Sequence, residues 1–286
     1  MGIMFMPTIS IVSSHFYKRR GLALALAASG NGTGSTILPA TVQYLTPKVG
    51  FPWAVRCAGF IALLFGILAN LLLKTRLAPR RSGPLLEWSI FREPAYVLLT
   101  CGCFFFYWAV YFCFFYVNSY ARDVIGFSTA SSIQLLLITN VAGMPGRPLV
   151  GWIADTYTGP LNAFIVCMAG VSCLLYGWTG VRDRTGMYAF SVLYGFFAGS
   201  AQGVYGAAVA SLTKDPAKMG TRFGMVSTMM AFAVLAGPPT AGALIDVSGG
   251  KYTWAQVWGG SSMFLGTAMV AAARAWITGG RLFAKA

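Results

Sequence analysis

The chain has 286 residues, 57% of them hydrophobic, 15% aromatic and 10% charged, with 21 Lys and Arg against 7 Asp and Glu. A formal net charge of +14 would suit a nucleic-acid binder, but the basic residues are scattered between apolar stretches with no soluble domain to carry them, so nucleic acid is excluded as a partner. With a mean hydropathy of +0.66 and a single His, the chain can assemble neither a Ser-His-Asp set nor a carboxylate pair nor a metal cluster, and no enzyme activity, cofactor or metal is expected.

Nine apolar stretches approach or reach membrane-spanning length, at roughly 1–16, 22–46, 52–73, 95–118, 128–149, 161–180, 187–212, 222–245 and 254–278. A bilayer offers no water to satisfy backbone N–H and C=O groups, so such stretches can only be helices. The predicted fold class is all-α, a polytopic transmembrane helical bundle. The first stretch falls short of the ~20 residues that cross the hydrocarbon. Its basic residues Lys18, Arg19 and Arg20 follow the apolar run, the wrong order for a signal peptide, so it reads as a truncated helix. His15 reads as interfacial. In the second stretch, Ser29-Gly-Asn-Gly-Thr-Gly34 lacks the preceding strand and following Lys of a phosphate loop, and its glycines read as helix-packing positions.

The longest connection contains KTRLAPRRSGPLLEW, whose Pro, Gly and Arg content suggests a hinge between two bundles, with Leu85–Phe91 as a candidate amphipathic piece on the membrane. It divides the chain into 1–74 with three helices of one bundle, a cytoplasmic linker at 75–94, and 95–286 with six helices of another. Helical transporters are often built from related halves, so three plus six suggests six plus six without the first three. The basic residues fall mostly in alternate loops, which places the C-terminus in the cytoplasm. Those residues also suit attraction to anionic membrane lipid.

Along the fourth stretch aromatics appear on every face, most of them for lipid or neighbouring helices. Tyr107 and Tyr111, one turn apart with hydroxyls that need partners, are candidates to line a cavity. Arg147 closes the fifth stretch. A charge there either lines a cavity as a guanidinium that grips a carboxylate bidentately, or snorkels to the headgroups as an anchor. Asp155 lies in Gly151-Trp-Ile-Ala-Asp155, either as a solvated loop acid or as a gate. In the second case its carboxylate would face the positive end of a helix, or Lys18, Arg19, Arg20 or Arg222. Asn140, Gln202 and Tyr205 are mid-span polar groups suited to substrate contact or to interhelical bonding. Gly237-Pro238-Pro239 predicts a kink in its helix. All six Cys fall within spans without metal-site spacing and read as small apolar residues.

FYKRRGLALALAASGNGTG (16–34) resembles the start of the fifth helix in the monocarboxylate-porter branch of the major facilitator superfamily. GRPLVGWIADTYTG (146–159), LYGFFAGSAQG (193–203) and MGTRFGM…AGPPTAGALID (219–246) fit the same branch in order, nearest its fungal members. The resemblance implies a truncated fold with this chain supplying the fourth to twelfth helices, and two bundles closing alternately around a central cavity. It implies a secondary transporter of small organic acids or an acidic secondary metabolite, in the plasma membrane. It also makes Arg147 substrate-linked. The acid that helps couple protons in that branch stands one turn earlier, where this chain has Gly143, so coupling through that position is not expected. The alternative is a carrier fragment without transport of its own.

Overall fold

The computed structural model describes residues 19–73, 87–213 and 218–281, with Thr8, Ile11, Val12, His15, Phe16 and Ala284. Among the described residues, eight continuous α-helices follow one another: α1 (Arg20–Val49), α2 (Phe51–Leu72), α3 (Pro94–Asp123), α4 (Thr129–Ile153), α5 (Pro160–Gly177), α6 (Arg184–Ser211), α7 (Met219–Val247) and α8 (Thr253–Thr278). No strand occurs among the described residues, in agreement with the all-α expectation. Most of the expected first span at 1–16, Lys18, and positions 74–86 of the expected linker lie outside the described residues.

Local chemistry sets the helix ends. Ser128 caps α4 by accepting from the Ser131 amide (3.3 Å), and Asp183 caps α6 by accepting from the Gly186 amide (2.9 Å). Pro94 opens α3 and Pro160 opens α5, positions where the missing N–H costs nothing. Between α4 and α5 the chain makes a π-turn over Ala154–Thr158, and Gly159 exits it at φ +86°, a conformation that favours glycine. A short 3-10 turn, Trp88–Arg92, precedes α3, with Ile90 buried while Trp88 and Phe91 are exposed.

Among the described residues, four helical stretches, α2, α3, α5 with its following turn, and α7, are long and apolar enough by composition to cross a membrane. The other four are as long, 25 to 30 residues, but richer in small and polar side chains. These lie where helices meet. A Cβ on Gly199 of α6 would stand 2.6 Å from the Gly143 Cα of α4, so the two backbones touch there. Gly102 of α3 and Gly266 of α8 approach each other likewise, each hypothetical Cβ being 2.9 Å from the other's carbonyl oxygen.

The core fills the space among α3, α5, α6 and α8. Trp178 stacks on Phe190 with ring centroids 5.0 Å apart and lies 5.2 Å from Phe112. Tyrosine hydroxyls tie the helices together by donating to backbone carbonyls: Tyr194 to Val110 (2.7 Å), Tyr120 to Val181 (2.6 Å) and Tyr116 to Pro238 (3.1 Å). The aromatics of α3 therefore divide, Phe106 and Phe112 being fully buried while Phe115 faces outward. The six cysteines are free, and Cys103, Cys113 and Cys167 are buried as small apolar residues. α1 packs on α4 and α6, and α2 packs on α1. The outer face of α2 exposes Phe60, Leu63, Leu64 and Phe65.

Candidate functional site

Arg147 lies on α4 between Pro145 and Pro148, with 4% of its surface exposed. Its Nη2 donates to Gln202 Oε1 of α6 at 3.3 Å, while Nε and Nη1 are buried without a partner. The ion pairs among the described residues involve Glu87 and Glu93, and none reaches Arg147. A buried guanidinium with two unpaired nitrogens and no counter-ion carries a large desolvation penalty, which a bound anion would relieve.

Three glycines make room for it. A Cβ on Gly203 would lie 3.0 Å from the Arg147 Cβ, one on Gly143 would lie 3.5 Å from Nη1, and one on Gly32 of α1 would overlap Nη1 outright. The guanidinium thus occupies a slot shared by α1, α4 and α6. Gly143 is doubly constrained, because its Cβ would also lie 2.8 Å from the Gly195 carbonyl oxygen. An acidic side chain does not fit at that position in this packing.

Two clefts open on Arg147. One, of about 420 Å³, runs toward Ser35, Phe114, Phe115 and Leu136. The other, of about 440 Å³, runs toward α7, with Met230, Val234 and Leu235 on its wall. Asn31, Tyr111, Arg147 and Gln202 line both.

Of the residues singled out in the sequence, Arg147, Gln202 and Tyr111 meet at this junction. Tyr107 lines the cleft toward α7, and Asn140 lines the other. The Asn140 amide donates to Leu136 O of its own helix (3.0 Å), so the interhelical bond expected as one alternative is not made. Tyr205 stands one layer back, edge-on to Tyr107 at 5.6 Å, its hydroxyl 3.5 Å from Ser227 Oγ, a separation at the outer limit of hydrogen bonding. Sequence reasoning missed Asn31 and Ser35 as lining residues, although their spacing of four on a small-residue helix was a usable signal. It also missed Gly32 and Gly203 as the slot for the guanidinium, and the apolar wall of α7.

At one end of the bundle the Asp155 carboxylate receives two backbone amides of α1, from Gly21 (2.9 Å) and Leu22 (2.8 Å). A carboxylate at a helix amino terminus satisfies orphan donors and meets the positive end of the helix dipole. Contact there is close: a Cβ on Gly21 would meet Asp155 Oδ1 at 2.5 Å, and one on Gly151 would meet the Ala25 Cβ at 2.6 Å. Arg20 begins α1 and Arg19 precedes it, exposed. Arg222, one of the alternatives offered to Asp155, is instead taken by Glu93. It pairs bidentately with Glu93 (2.7 and 3.1 Å), donates to Leu212 O (3.2 Å) and lies over the Tyr96 ring. The reason is local: the 3-10 turn before α3 brings Glu87 and Glu93 beside the start of α7. Lys218 bonds Glu87 at 2.6 Å, and this bond holds the Glu87 carboxyl below its ordinary value despite opposing burial.

The π-turn carrying Asp155 is tied on its other side to the C-terminal segment. Asn162 donates to Thr158 O (2.7 Å) and to Ala284 O (3.0 Å), and Arg274 donates to Asn162 Oδ1 (2.8 Å) and to Ala284 O (3.2 Å).

The sequence profile of the Major Facilitator Superfamily matches residues 1–186. The chain belongs to this superfamily. A curated MFS-type transporter of Gibberella zeae is 37% identical over 278 residues, covering 96% of this chain and 62% of the relative. An aspyridones efflux protein of Emericella nidulans is 33% identical over 267 residues, covering 93% of this chain and 54% of the relative. The chain therefore spans little more than half to under two thirds of those relatives. Among solved structures, the Escherichia coli fucose:proton symporter superposes with a TM-score of 0.72 over 94% of this chain and 72% of its own, at 16% identity. A human organic anion transporter gives 0.73 over 93% and 67%, also at 16% identity. At such identity the likeness establishes the fold alone. As a superfamily member the chain is an integral, multi-pass membrane protein.

Proposed function

We propose that this chain forms the anion-binding and gating part of a secondary transporter that moves a small organic anion by alternating access. The observation that carries the reading is Arg147: 4% exposed, with two partnerless nitrogens, at the junction of two clefts. Tyr107, Tyr111, Asn140, Gln202 and Tyr205 complete the site, and Asp155 with Arg19, Arg20 and Lys18 forms the gate at the amino end of α1. Arg222 braces α7 against Glu93 instead. Support comes from the relative named as an efflux protein. We place the chain in the monocarboxylate-porter branch, with its helices corresponding to the fourth to twelfth of that fold. Residues 1–74 and 95–286 then belong to two bundles joined through 75–94, in the plasma membrane with the C-terminus cytoplasmic and the loop cations on anionic lipid. With Gly143 where the branch carries an acid, transport should respond weakly to a proton gradient.

The test is anion binding to purified protein in nanodiscs. Arg147→Ala should weaken binding by ~10–100-fold, the loss of charged hydrogen bonds worth about 1.5–3 kcal/mol. Arg147→Lys should recover only part, because an ammonium cannot form the planar fork. Unchanged affinity in Arg147→Ala at equal folded yield would return the residue to a headgroup anchor.

A further inference from the structure

The two clefts share one cation, and their geometry is specific. Arg147, Gln202, Asn31 and Tyr111 belong to both, so the polar groups gather at the junction. Away from it the walls are mainly apolar, with Ser35 and Asn140 in one direction and Tyr107 and Ser227 in the other. Phe114, Phe115 and Leu136 line one lobe, and Met230, Val234 and Leu235 line the other, with Phe115 and Leu235 at the exposed rims. The lobes are nearly equal, about 420 and 440 Å³, and each alone falls within the size range of ordinary ligand pockets. Among the described residues, Arg147 is the one cation lining both lobes, which places the negative charge of a ligand at their junction.

An anion with its charge at one end of an apolar body can fill one lobe only, leaving the apolar wall of the other against water. An anion with its charge between two apolar parts fills both while the charge stays on the guanidinium. We propose that the preferred ligand is of the second kind: an organic anion whose charged group lies between two apolar substituents. Selectivity then depends on the two lobe walls as much as on Arg147. The proposal rests on the reading of Arg147 as an anion site, and the experiment separates the two.

Diphenylacetate and biphenyl-4-ylacetate are isomers with the same two phenyl rings and the same carboxylate. In the first the charge lies between the rings, and in the second it lies at the end of them. Their affinities for the full chain in nanodiscs would be compared by isothermal titration or tryptophan quenching. Diphenylacetate should bind about tenfold more tightly, the effect of burying one further ring face. Ser35→Leu narrows one lobe and Ala231→Leu the other, both from the open side of a wall. Diphenylacetate should lose affinity in each variant, whereas biphenyl-4-ylacetate should lose it in one and tolerate the other. Equal or tighter binding of biphenyl-4-ylacetate, with both acids still abolished by Arg147→Ala, would overturn the proposal and leave the anion site standing. Binding of both acids that ignores Arg147→Ala and Arg147→Lys, or no binding of either, would remove the anion site and the proposal with it. Arg147→Lys retains the charge, so a folding failure of Arg147→Ala leaves the comparison intact.

Discussion

Arg147 is expensive where it stands, and the surrounding glycines explain how the chain tolerates it. Gly32, Gly143 and Gly203 leave a slot in which the side chain fits but its charge is not neutralised. Gly32→Leu should push the guanidinium out of line, weakening anion binding several-fold while the protein still folds, as a binding isotherm beside a thermal melt would reveal. Gly143→Asp makes a sharper case. Its side chain would meet the Gly195 carbonyl, and overpacking of this kind costs about 1–3 kcal/mol before the buried charge is counted. The variant should melt lower by several degrees and gain no proton dependence of transport. A stable Gly143→Asp protein driven by a pH gradient would contradict that packing argument. Arg147 and Asp155 could be picked out of the sequence because charge inside or beside an apolar run is rare. The pairing of Arg222 with Glu93 could not, because the partners are 129 positions apart and nothing in either neighbourhood encodes the meeting. Tyr205 was legible as a mid-span polar residue, but its position behind Tyr107 depends on the rotation of α6 against α3.

At the scale of elements, the proposed gate sets the Asp155 carboxylate against the first turn of α1. Asp155→Asn keeps one acceptor but removes the charge that faces the helix dipole, an effect worth about 0.3–1 kcal/mol or more when partly buried. A cysteine at Ala25, in a background without the six native ones, should then label faster from the Asp155 side. Labelling as slow as with Asp155 present would mean that the glycine contacts alone keep that end shut. The Glu87–Lys218–Arg222–Glu93 cluster makes a different prediction, in pH. Its bond to Lys218 lowers the Glu87 carboxyl from the ordinary 4.5. The stability it contributes is fully present above that value and is lost as pH falls through the lower folded one. Lys218 is nearly half exposed, so the contribution is modest and screened by salt. Melts recorded between neutral pH and pH ~3 should fall more steeply for the native chain than for Lys218→Ala. Identical slopes would show that the pair does not matter to stability.

For the whole molecule, hydropathy revealed the all-α membrane architecture but ranked the helices by the wrong quality. α2 is the most apolar of the long helices and contributes little to the core, its outer face bearing Phe60 and Leu64. α1, α4 and α6 are less apolar because their small and polar residues line the Arg147 slot and the clefts. A helix lowered in mean hydropathy by Asn31, Ser35, Gly143 and Gln202 is therefore the one to examine for a ligand. The helix boundaries came within a few residues of the sequence expectation, since Pro94, Gly159-Pro160 and Gly50 punctuate the chain where charge and turn chemistry agree. The clefts were not legible, because each is bounded by side chains from several helices whose relative rotation no local pattern records. The outer face of α2 should behave as a lipid-facing surface: Leu64→Ser should change the melting temperature by a few degrees at most and leave anion affinity unaltered. A collapse in yield for Leu64→Ser would point to a protein neighbour on that face.

The carbonyl of Ala284 has a practical consequence. It receives hydrogen bonds from Asn162 and Arg274, and Asn162 also holds Thr158 in the π-turn that carries Asp155. Anything grafted next to Ala284 is therefore mechanically connected, through a handful of bonds, to the proposed gate at α1. An affinity tag or fluorescent protein placed there would not be a silent handle. It would tug at the turn, and tagged and tag-cleaved protein would differ in how readily the closed end opens. A reporter intended to leave the carrier undisturbed is better grafted elsewhere, and comparing both forms in one accessibility assay would tell an experimenter whether the handle has become part of the machine.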